Sequence, residues 1–278
     1  MITQRTSREC ADPVIGSTTK STSTSKVENV LLPSGGLREL HLFCGAGGGV
    51  LGGILLGHTC VCAVEIEPYC QKVLLQRQRD GILPQFPIWD DVRTFDGKPW
   101  RGLVDVVCGG FPCGDISPAR TNNDVNGKQR GLDGDASGLW SEMRRVINEV
   151  RPGRAFIENS PMLRTRGLVR VLKDLDSMGY DTARGVFGCR QFGADHVRER
   201  MFILASNSYA TQRKRGGVSG RVHSEHSDIG RCYWWKDQPG LERVANGMAH
   251  QMDRLAAIGN GQIPCVASLA WQTLSAGV

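Results

Sequence analysis

The sequence predicts an α/β fold in which helices cover both faces of a mostly parallel sheet. Short apolar runs bounded by glycine or proline alternate along the chain with longer segments whose apolar residues have helical spacing. The helical segments are about ten residues or longer, as crossovers between parallel strands require. Several apolar runs end in glycine-rich or acidic turns, and ligands bind at such strand ends in open parallel sheets.

The predicted elements follow one another from Leu37 to Ser206. LRELHLF is a strand, GVLGGILLGH a helix, TCVCAVEIE a strand and PYCQKVLLQRQRD a helix, and a short third strand ends near Trp89. The fourth strand, LVDVVCGG, is followed by the helix SGLWSEMRRVINEVRP, with Ser137 as a candidate N-cap and Pro152 just past its end. RAFIENS forms the fifth strand, GLVRVLKDLDSMGY a helix and ERMFILAS a further strand.

Two segments depart from this alternating pattern. Residues 1–34 are rich in Ser and Thr and bury too little apolar surface to order themselves, so we expect a flexible tail. Residues 206–250 are polar and basic, with 7 Lys and Arg against 4 Asp and Glu. The α/β pattern itself occupies residues 35–205.

Composition excludes some classes of protein and leaves others open. Of the 278 residues, 40% are hydrophobic and 22% charged, as in ordinary soluble proteins, and no apolar run is long enough to span a membrane. The net charge of +6 permits a polyanionic partner without requiring one. The ten cysteines lack the paired spacing of zinc sites, and the first residues, MITQRTSREC, lack the apolar core expected of a secretory signal. We therefore expect reduced thiols, no metal and a cytoplasmic location.

The turns after the first three strands indicate a cofactor that contains adenosine. The glycines after Phe43 let the backbone approach a ligand closely, although a plain tight turn has the same pattern. Glu65, placed 20 residues after Gly45, can accept hydrogen bonds from two ribose hydroxyls. Asp91 can accept a hydrogen bond from an adenine amino group. These features suit a dinucleotide and S-adenosylmethionine equally.

A cysteine in a polar turn follows the fourth strand. Cys113 comes after Gly-Gly-Phe-Pro, and a buried structural role, the usual alternative, suits the apolar position of Cys108 better. Glu158 ends the next strand, and Arg198 and Arg200 lie in an extended segment that could equally be a solvated charged edge. A thiolate, a carboxylic acid and arginines together suit nucleophilic attack on carbon 6 of cytosine.

Eight segments, in order, resemble motifs of the cytosine-5 DNA methyltransferase family, especially its stand-alone bacterial or phage members. They are LHLFCGAGGG, AVEIE, DDV, GGFPCGDIS, SGLWSEM, ENS, HVRER and GNGQIP. The resemblance implies a Rossmann-like methyltransferase fold, S-adenosyl-L-methionine as cofactor and double-stranded DNA as substrate. We expect a monomer, because one copy suffices to flip one base. The resemblance makes 35–205 the catalytic domain, 206–250 a short target-recognition region and 251–278 a segment that returns to the catalytic domain.

The resemblance also implies a role for individual residues. Cys113 would be the nucleophile, Glu158 the acid at ring nitrogen 3, and Arg198, supported by Arg200, the ligand of the base oxygen. Trp140 would line the cofactor or base pocket together with Leu139. The implied cofactor-binding residues are Phe43, Cys44, Gly45, Ala46, Gly47, Glu65, Ile66, Asp91, Val92, Gly109, Pro112, Leu139 and Asn260. A loop that closes over a flipped base would bind DNA through Ser117, Arg120, Lys128 and Arg130.

The chain departs from the family pattern at three positions. Gly114, His196 and Ser160 stand where Gln, Gln and Val are usual, and none of them is the nucleophile or the acid. Gly114 lacks a side chain that would help to fill the duplex after base extrusion. Region 206–250 is short, which predicts a short or loosely defined target, and we expect Trp234-Trp235 to pack rather than to touch DNA.

Three alternative functions are compatible with parts of this pattern. An RNA cytosine methyltransferase would use the same pocket. A DNA-binding relative that has lost catalysis would explain Gly114, but it leaves the retained Cys113 and Glu158 without a purpose. A nicotinamide dehydrogenase accounts for the first turns alone and has the least support.

Overall fold

A computed structural model describes residues 36–112, 138–193, 198–207, 257 and 261–276. All of these residues belong to the contact unit Leu32–Val278. The predicted tail 1–34 and nearly all of region 206–250, including its two tryptophans, lie outside the described residues. The domain boundaries drawn from the sequence therefore stay predictions.

The described strands form one sheet. They are β1 Arg38–Leu42, β2 Thr59–Val64, β3 Ile88–Trp89, β4 Val106–Gly109, β5 Arg154–Asn159, β6 Asp181–Gly188 and β7 Glu199–Ser206. The strand order is β3-β2-β1-β4-β5-β7-β6. Strands β1 to β5 pair in parallel, and β7 runs antiparallel to both β5 and β6. The predicted mostly parallel sheet is confirmed.

Six α-helices belong to the described part of the chain. They are α1 Gly48–Leu55, α2 Pro68–Arg79, α3 Leu139–Val150, α4 Leu163–Arg166, α5 Leu168–Ser177 and α6 Pro264–Ser275. Helices α2 and α6 begin with proline, whose fixed φ suits the first helical position. Helix α3 ends at Arg151 in the left-handed region, directly before Pro152; its predicted cap, Ser137, lies outside the described residues. None of the described helices has the length and apolarity needed to cross a membrane.

Apolar side chains cover both faces of the sheet. Leu40 and Leu42 of β1 belong to one cluster with Ile147 of α3. On the other face, Phe156 of β5 packs against Trp271 of α6, with ring centroids 5.3 Å apart and the planes nearly perpendicular. Alternate residues of a strand point to opposite faces, so β4 and β5 each contribute to both clusters. The predicted helical cover on both faces is confirmed.

The sequence analysis did not identify β6. Its sequence, DTARGVFG, contains two glycines, and most of its residues are exposed or half-buried at the edge of the sheet. A strand with little buried surface has no clear apolar alternation, so the usual strand signal is missing.

The burial of α3 predicts a large loss of stability on truncating Ile147. This side chain is 0% exposed. Ile147→Ala should lower the free energy of unfolding by about 2–5 kcal/mol, because the cavity left behind adds to the lost transfer energy. Asn148, its exposed neighbour, provides the control: Asn148→Ala should change stability by less than about 0.5 kcal/mol. Urea unfolding measures both, and equal effects would contradict the orientation of α3.

Candidate active site

The polar groups of the predicted site collect at one edge of the sheet. The carboxyl ends of β1 to β5 lie at this edge. Because β7 is antiparallel, its first residues reach the same edge, where Met201 pairs with Asn159 and Phe202 with Glu158. Arg200 therefore comes beside a carboxyl group that is more than 40 positions away in sequence.

The turn after β1 is tied to the end of β2 by one carboxylate. Phe43, Gly45 and Gly47 have φ values of 53°, 57° and 87°, in the left-handed region, and the backbone forms a tight turn here. The Gly45 N–H donates to Glu65 Oε2 at 2.5 Å, and the Glu67 N–H donates to Glu65 Oε1 at 2.8 Å. No described atom lies within 4 Å of where a Cβ on Gly45 would be, so the space beside the turn is open.

Glu65 retains the capacity to bind a ligand at this open space. Its side chain is buried, and this burial raises its pKa against the opposing effect of backbone N–H donors, chiefly those of Glu67 and Gly45. Each carboxylate oxygen can accept two hydrogen bonds and accepts one from a backbone N–H in this turn, so each has one lone pair left for a ribose hydroxyl. The adjacent Ile66 is 52% exposed and offers an apolar surface for a flat ring. The Ala46 carbonyl, in the turn, is held by the Arg77 guanidinium at 2.6 Å. These residues fit an adenosine-bearing cofactor.

The residues after β3 have partners that the sequence analysis did not anticipate. Asp91 forms an ion pair with Arg93 at 2.8 Å, and the hydrogen bond from Arg93 lowers the pKa of Asp91. The Val92 side chain is buried, and its carbonyl accepts a hydrogen bond from Arg145 at 2.7 Å. A ligand bound here would contact the Asp91 carboxylate, which is already paired with Arg93. Of Val92 it would contact only the backbone, because the side chain is buried.

Two glycines at the end of β4 allow close packing at the centre of the edge. A Cβ on Gly109 would lie 2.9 Å from the Leu42 carbonyl oxygen. A Cβ on Gly110 would lie 2.5 Å from Glu158 Oε2. Larger residues at either position would push β4 away from its neighbours. Glycine is therefore required here for close approach rather than for an unusual φ.

The backbone that leads to the predicted nucleophile is anchored to β5. The Phe111 carbonyl accepts a hydrogen bond from Asn159 Nδ2 at 3.0 Å, and the Phe111 ring is buried against Trp140. Trp140 is itself buried and packs against Phe111, and Leu139 is half-buried beside it, so their predicted place in the lining of the pocket stays a prediction. Pro112 is the last described residue of this segment. The predicted site residues beyond it or in other undescribed parts are Cys113, Ser117, Arg120, Lys128, Arg130 and Asn260.

Glu158 is a buried carboxyl group with an arginine directly on it. Its side chain is 8% exposed, and Arg200 Nε lies 2.9 Å from its Oε1. Burial raises the pKa of Glu158 to about 7, against the lowering effects of Arg200, Arg198 and a hydrogen bond with the Gln262 side chain. A carboxyl group with this pKa is substantially protonated near neutral pH and can act as a general acid.

The two arginines of the predicted site have different partners. Arg200 pairs with Glu158 and also donates from Nη1 to the Glu199 carbonyl at 2.9 Å. Arg198 Nη2 donates to the Gly261 carbonyl at 2.6 Å. Arg198 therefore links the start of β7 to the segment that precedes α6, and Arg200 is the arginine in contact with the acid.

A match to a family model shows to which protein family the chain belongs. Residues 37–230 match the model described as C-5 cytosine-specific DNA methylase. The chain belongs to this family. The predicted resemblance is thereby confirmed, while the roles assigned to individual residues stay predictions.

Individual relatives show how far the similarity extends. The Type II methyltransferase M.CviJI of Paramecium bursaria Chlorella virus IL3A is 32% identical over 169 residues, which cover 60% of this chain and 42% of that protein. The Type II methyltransferase M2.BsuMI of Bacillus subtilis (strain 168) is 31% identical over 224 residues, covering 74% and 53% respectively. The chain thus spans about half the length of these curated relatives. A DNA modification methyltransferase encoded within an E. coli prophage has a TM-score of 0.49 at 20% identity, over 63% of this chain and 48% of that structure.

The sequence analysis missed Gln262, although the motif GNGQIP contains it. A Cβ on Gly48 would collide with the Gln262 carbonyl oxygen, and a Cβ on Gly49 would lie 2.6 Å from its Oε1. Within this family member the glycines at the start of α1 thus accommodate the C-terminal segment as well as the cofactor turn. The available signal was the pair of glycines that begins α1, which the sequence analysis attributed to the cofactor alone.

The raised pKa of Glu158 predicts a pH-dependent contribution to stability. Its ordinary pKa of 4.5 becomes about 7 in the fold, so the protonated form is favoured on folding. This contribution is fully present below the ordinary pKa and is lost as the pH rises through about 7. Glu158→Gln cannot titrate and lacks this component. The melting temperature of the variant relative to wild type should therefore increase between about pH 5 and pH 8.

The control for this measurement is Glu67→Gln, which alters an exposed carboxyl group at the same edge. Differential scanning calorimetry at the two pH values compares all three proteins. Parallel changes of melting temperature in Glu158→Gln and wild type across this range would contradict a protonated Glu158.

Proposed function

We propose that this chain transfers a methyl group from S-adenosyl-L-methionine to carbon 5 of a cytosine in double-stranded DNA. The observation that carries the proposal is the buried carboxyl group of Glu158, with its pKa of about 7, packed against Arg200 and next to the anchored backbone before Cys113. Family membership supports cytosine as the base and S-adenosyl-L-methionine as the methyl donor.

The chemistry assigned to the chain begins with a nucleophile. Cytosine is extruded from the duplex, because its carbon 6 is inaccessible in the stack. The Cys113 thiolate then adds to carbon 6, and the addition pushes electron density onto carbon 5 and ring nitrogen 3. Carbon 5 would take the methyl group from the sulfonium of S-adenosyl-L-methionine held beside Glu65, as the bond between sulfur and methyl breaks and S-adenosyl-L-homocysteine is released. Afterwards a base removes the proton from carbon 5, and the thiolate leaves.

Glu158 and the arginines support that addition. The protonated Glu158 carboxyl donates to ring nitrogen 3 as negative charge develops there, which a carboxylate could not do. Arg200 keeps this carboxyl oriented and limits its freedom to rotate. Arg198, assigned to the base oxygen, lies at the same edge of the sheet, where its guanidinium donates from Nη2 to the Gly261 carbonyl.

DNA is the proposed partner because relatives such as M.CviJI and M2.BsuMI are named Type II methyltransferases. The basic residues Arg120, Lys128 and Arg130 would contact phosphates, and 206–250 would read the target. One copy of the chain suffices to flip one base, so we propose a monomer. The seven described cysteines are free thiols, which agrees with the cytoplasmic location we propose.

The central test of this function is tritium transfer from labelled S-adenosyl-L-methionine to mixed-sequence duplex DNA. Cys113→Ala should abolish incorporation at carbon 5, and Glu158→Gln should reduce it by about 100-fold or more, because general acid catalysis contributes factors of this size. Cys265→Ala, which changes an exposed thiol, is the matched control and should retain activity.

Transfer RNA is the comparison substrate in the same assay. Incorporation into transfer RNA but not into duplex DNA would move the proposal to the RNA enzyme. Absence of transfer to either substrate by folded protein that binds the cofactor would contradict the proposed activity.

Cofactor binding yields a separate prediction for Glu65. Glu65→Gln replaces one of the two acceptor oxygens by a donor, so affinity for S-adenosyl-L-methionine should fall by about 10- to 100-fold. Glu67→Gln, which changes the exposed carboxylate two positions away, should bind like wild type. Isothermal titration calorimetry measures both. Equal affinity of the Glu65 variant and wild type would place the ribose elsewhere.

A further inference from the structure

A buried acid with two histidine partners lies beneath α1, away from the proposed chemistry. Glu39 accepts hydrogen bonds from His41 Nε2 at 2.8 Å and from His58 Nδ1 at 2.7 Å. All three side chains are buried. Burial would raise the pKa of Glu39, but the hydrogen bonds from both histidines bring it down to about 2. The Glu39–His41–His58 cluster is therefore a fixed, hydrogen-bonded group inside the fold.

The Gln262 side chain lies between this cluster and Glu158. At one end, Gln262 Oε1 and His41 Nδ1 lie 2.6 Å and 3.3 Å from the position of a Cβ on Gly49. At the other end, Gln262 Nε2 and Glu158 Oε2 lie 3.3 Å and 2.5 Å from the position of a Cβ on Gly110. The two ends of the amide thus occupy space beside Gly49 and beside Gly110, which a side chain at either glycine would fill.

The backbone around Gln262 is held on two sides. Its carbonyl oxygen packs against Gly48 at the start of α1, and the preceding Gly261 carbonyl accepts the Arg198 guanidinium at 2.6 Å. Two residues later α6 begins at Pro264, and Gly52 of α1 allows close contact with α6. These contacts fix the backbone position from which the Gln262 side chain extends toward Gly49 and Gly110.

We propose that Gln262 is a positioning residue for Glu158. Its amide donates a hydrogen bond to the carboxyl group, and its Oε1 borders the same space beside Gly49 as His41 Nδ1. Glu158 is thereby held between Gln262 on one side and Arg200 on the other, with its orientation fixed. The catalytic meaning of this arrangement rests on the proposed function, whereas the contact itself does not.

The interaction has a definite electrostatic consequence. The charged groups acting on Glu158 are Arg200 and Arg198 of β7, and Gln262 adds an uncharged donor from the segment before α6. All three favour the carboxylate and oppose burial, which favours the protonated form. Removing the Gln262 donor takes away one of the interactions that counteract burial, so the pKa of Glu158 should rise. The Glu158 carboxyl group should also gain rotational freedom.

The experiment compares Gln262→Met, which keeps the length but lacks the donor, with Gln272→Met on the exposed side of α6. Carbon-13 NMR follows the glutamate carboxyl resonances as the pH is raised, and Glu158→Gln identifies the resonance of Glu158. The Glu158 titration midpoint should move up by about half a pH unit or more in Gln262→Met and stay unchanged in Gln272→Met. This readout needs neither cofactor nor DNA.

Gly49→Ala provides a second variant that leaves Gln262 intact. Its methyl group would occupy space beside Gln262 Oε1 and should displace the amide. The titration midpoint of Glu158 should therefore rise, as in Gln262→Met. If the titration midpoint of Glu158 is the same as in wild type in both folded variants, Gln262→Met and Gly49→Ala, the proposal is overturned, whatever their activity. If the two variants raise the pKa of Glu158 but the wild-type protein transfers no methyl group, the positioning role of Gln262 is upheld and the proposed function is refuted.

In active protein, the pH profile separates positioning from folding. Gln262→Met should lower kcat with little change in KM for DNA, and the alkaline limb of its kcat profile should move to higher pH together with the NMR midpoint. A uniform loss of kcat at every pH with no shift of the alkaline limb would indicate general damage and would overturn the role assigned to Gln262.

Discussion

The site depends on keeping one carboxyl group, Glu158, out of water at the end of a strand. Burial favours its protonated form, and Arg200 favours its ionised form; their balance sets a pKa of about 7. Burial alone would keep the carboxyl group protonated at neutral pH, and the arginine alone would keep it ionised. The direction of β7 is what makes this balance possible, because only an antiparallel strand brings its first residues to the carboxyl edge of the parallel strands.

Glycines determine how closely the elements of the site approach each other. Gly110 permits contact between the end of β4 and Glu158, while Gly48 and Gly49 let the segment around Gln262 lie against α1. The cofactor turn and the C-terminal segment are thus packed around the same helix start. A single added methyl group there would disturb the proposed cofactor site and the acid together.

Local periodicity was sufficient to predict most of the fold. The buried central strands and α3 have strong apolar patterns, and the acids at strand ends mark the functional edge. The edge strand β6 has little burial and therefore little signal. The contact of Arg198 with Gly261 and the position of Gln262 depend on geometry between elements, which no single-sequence pattern encodes. Asp91 and Arg93 are two positions apart, and their pairing depends on the conformation of a single turn. The family match supports the overall function, but the role of Cys113 stays a prediction because it lies outside the described residues.

The most direct test of the account is covalent trapping on duplex DNA in which 5-fluorocytosine replaces cytosine. Fluorine at carbon 5 cannot leave as a proton does, so the bond between Cys113 and carbon 6 should persist after methyl transfer. Mass spectrometry of the digested complex should then show one modified peptide, the one that contains Cys113, and Glu158→Gln should form it more slowly. Methyl transfer to ordinary DNA without any trapped adduct, or an adduct on a different cysteine, would contradict the account.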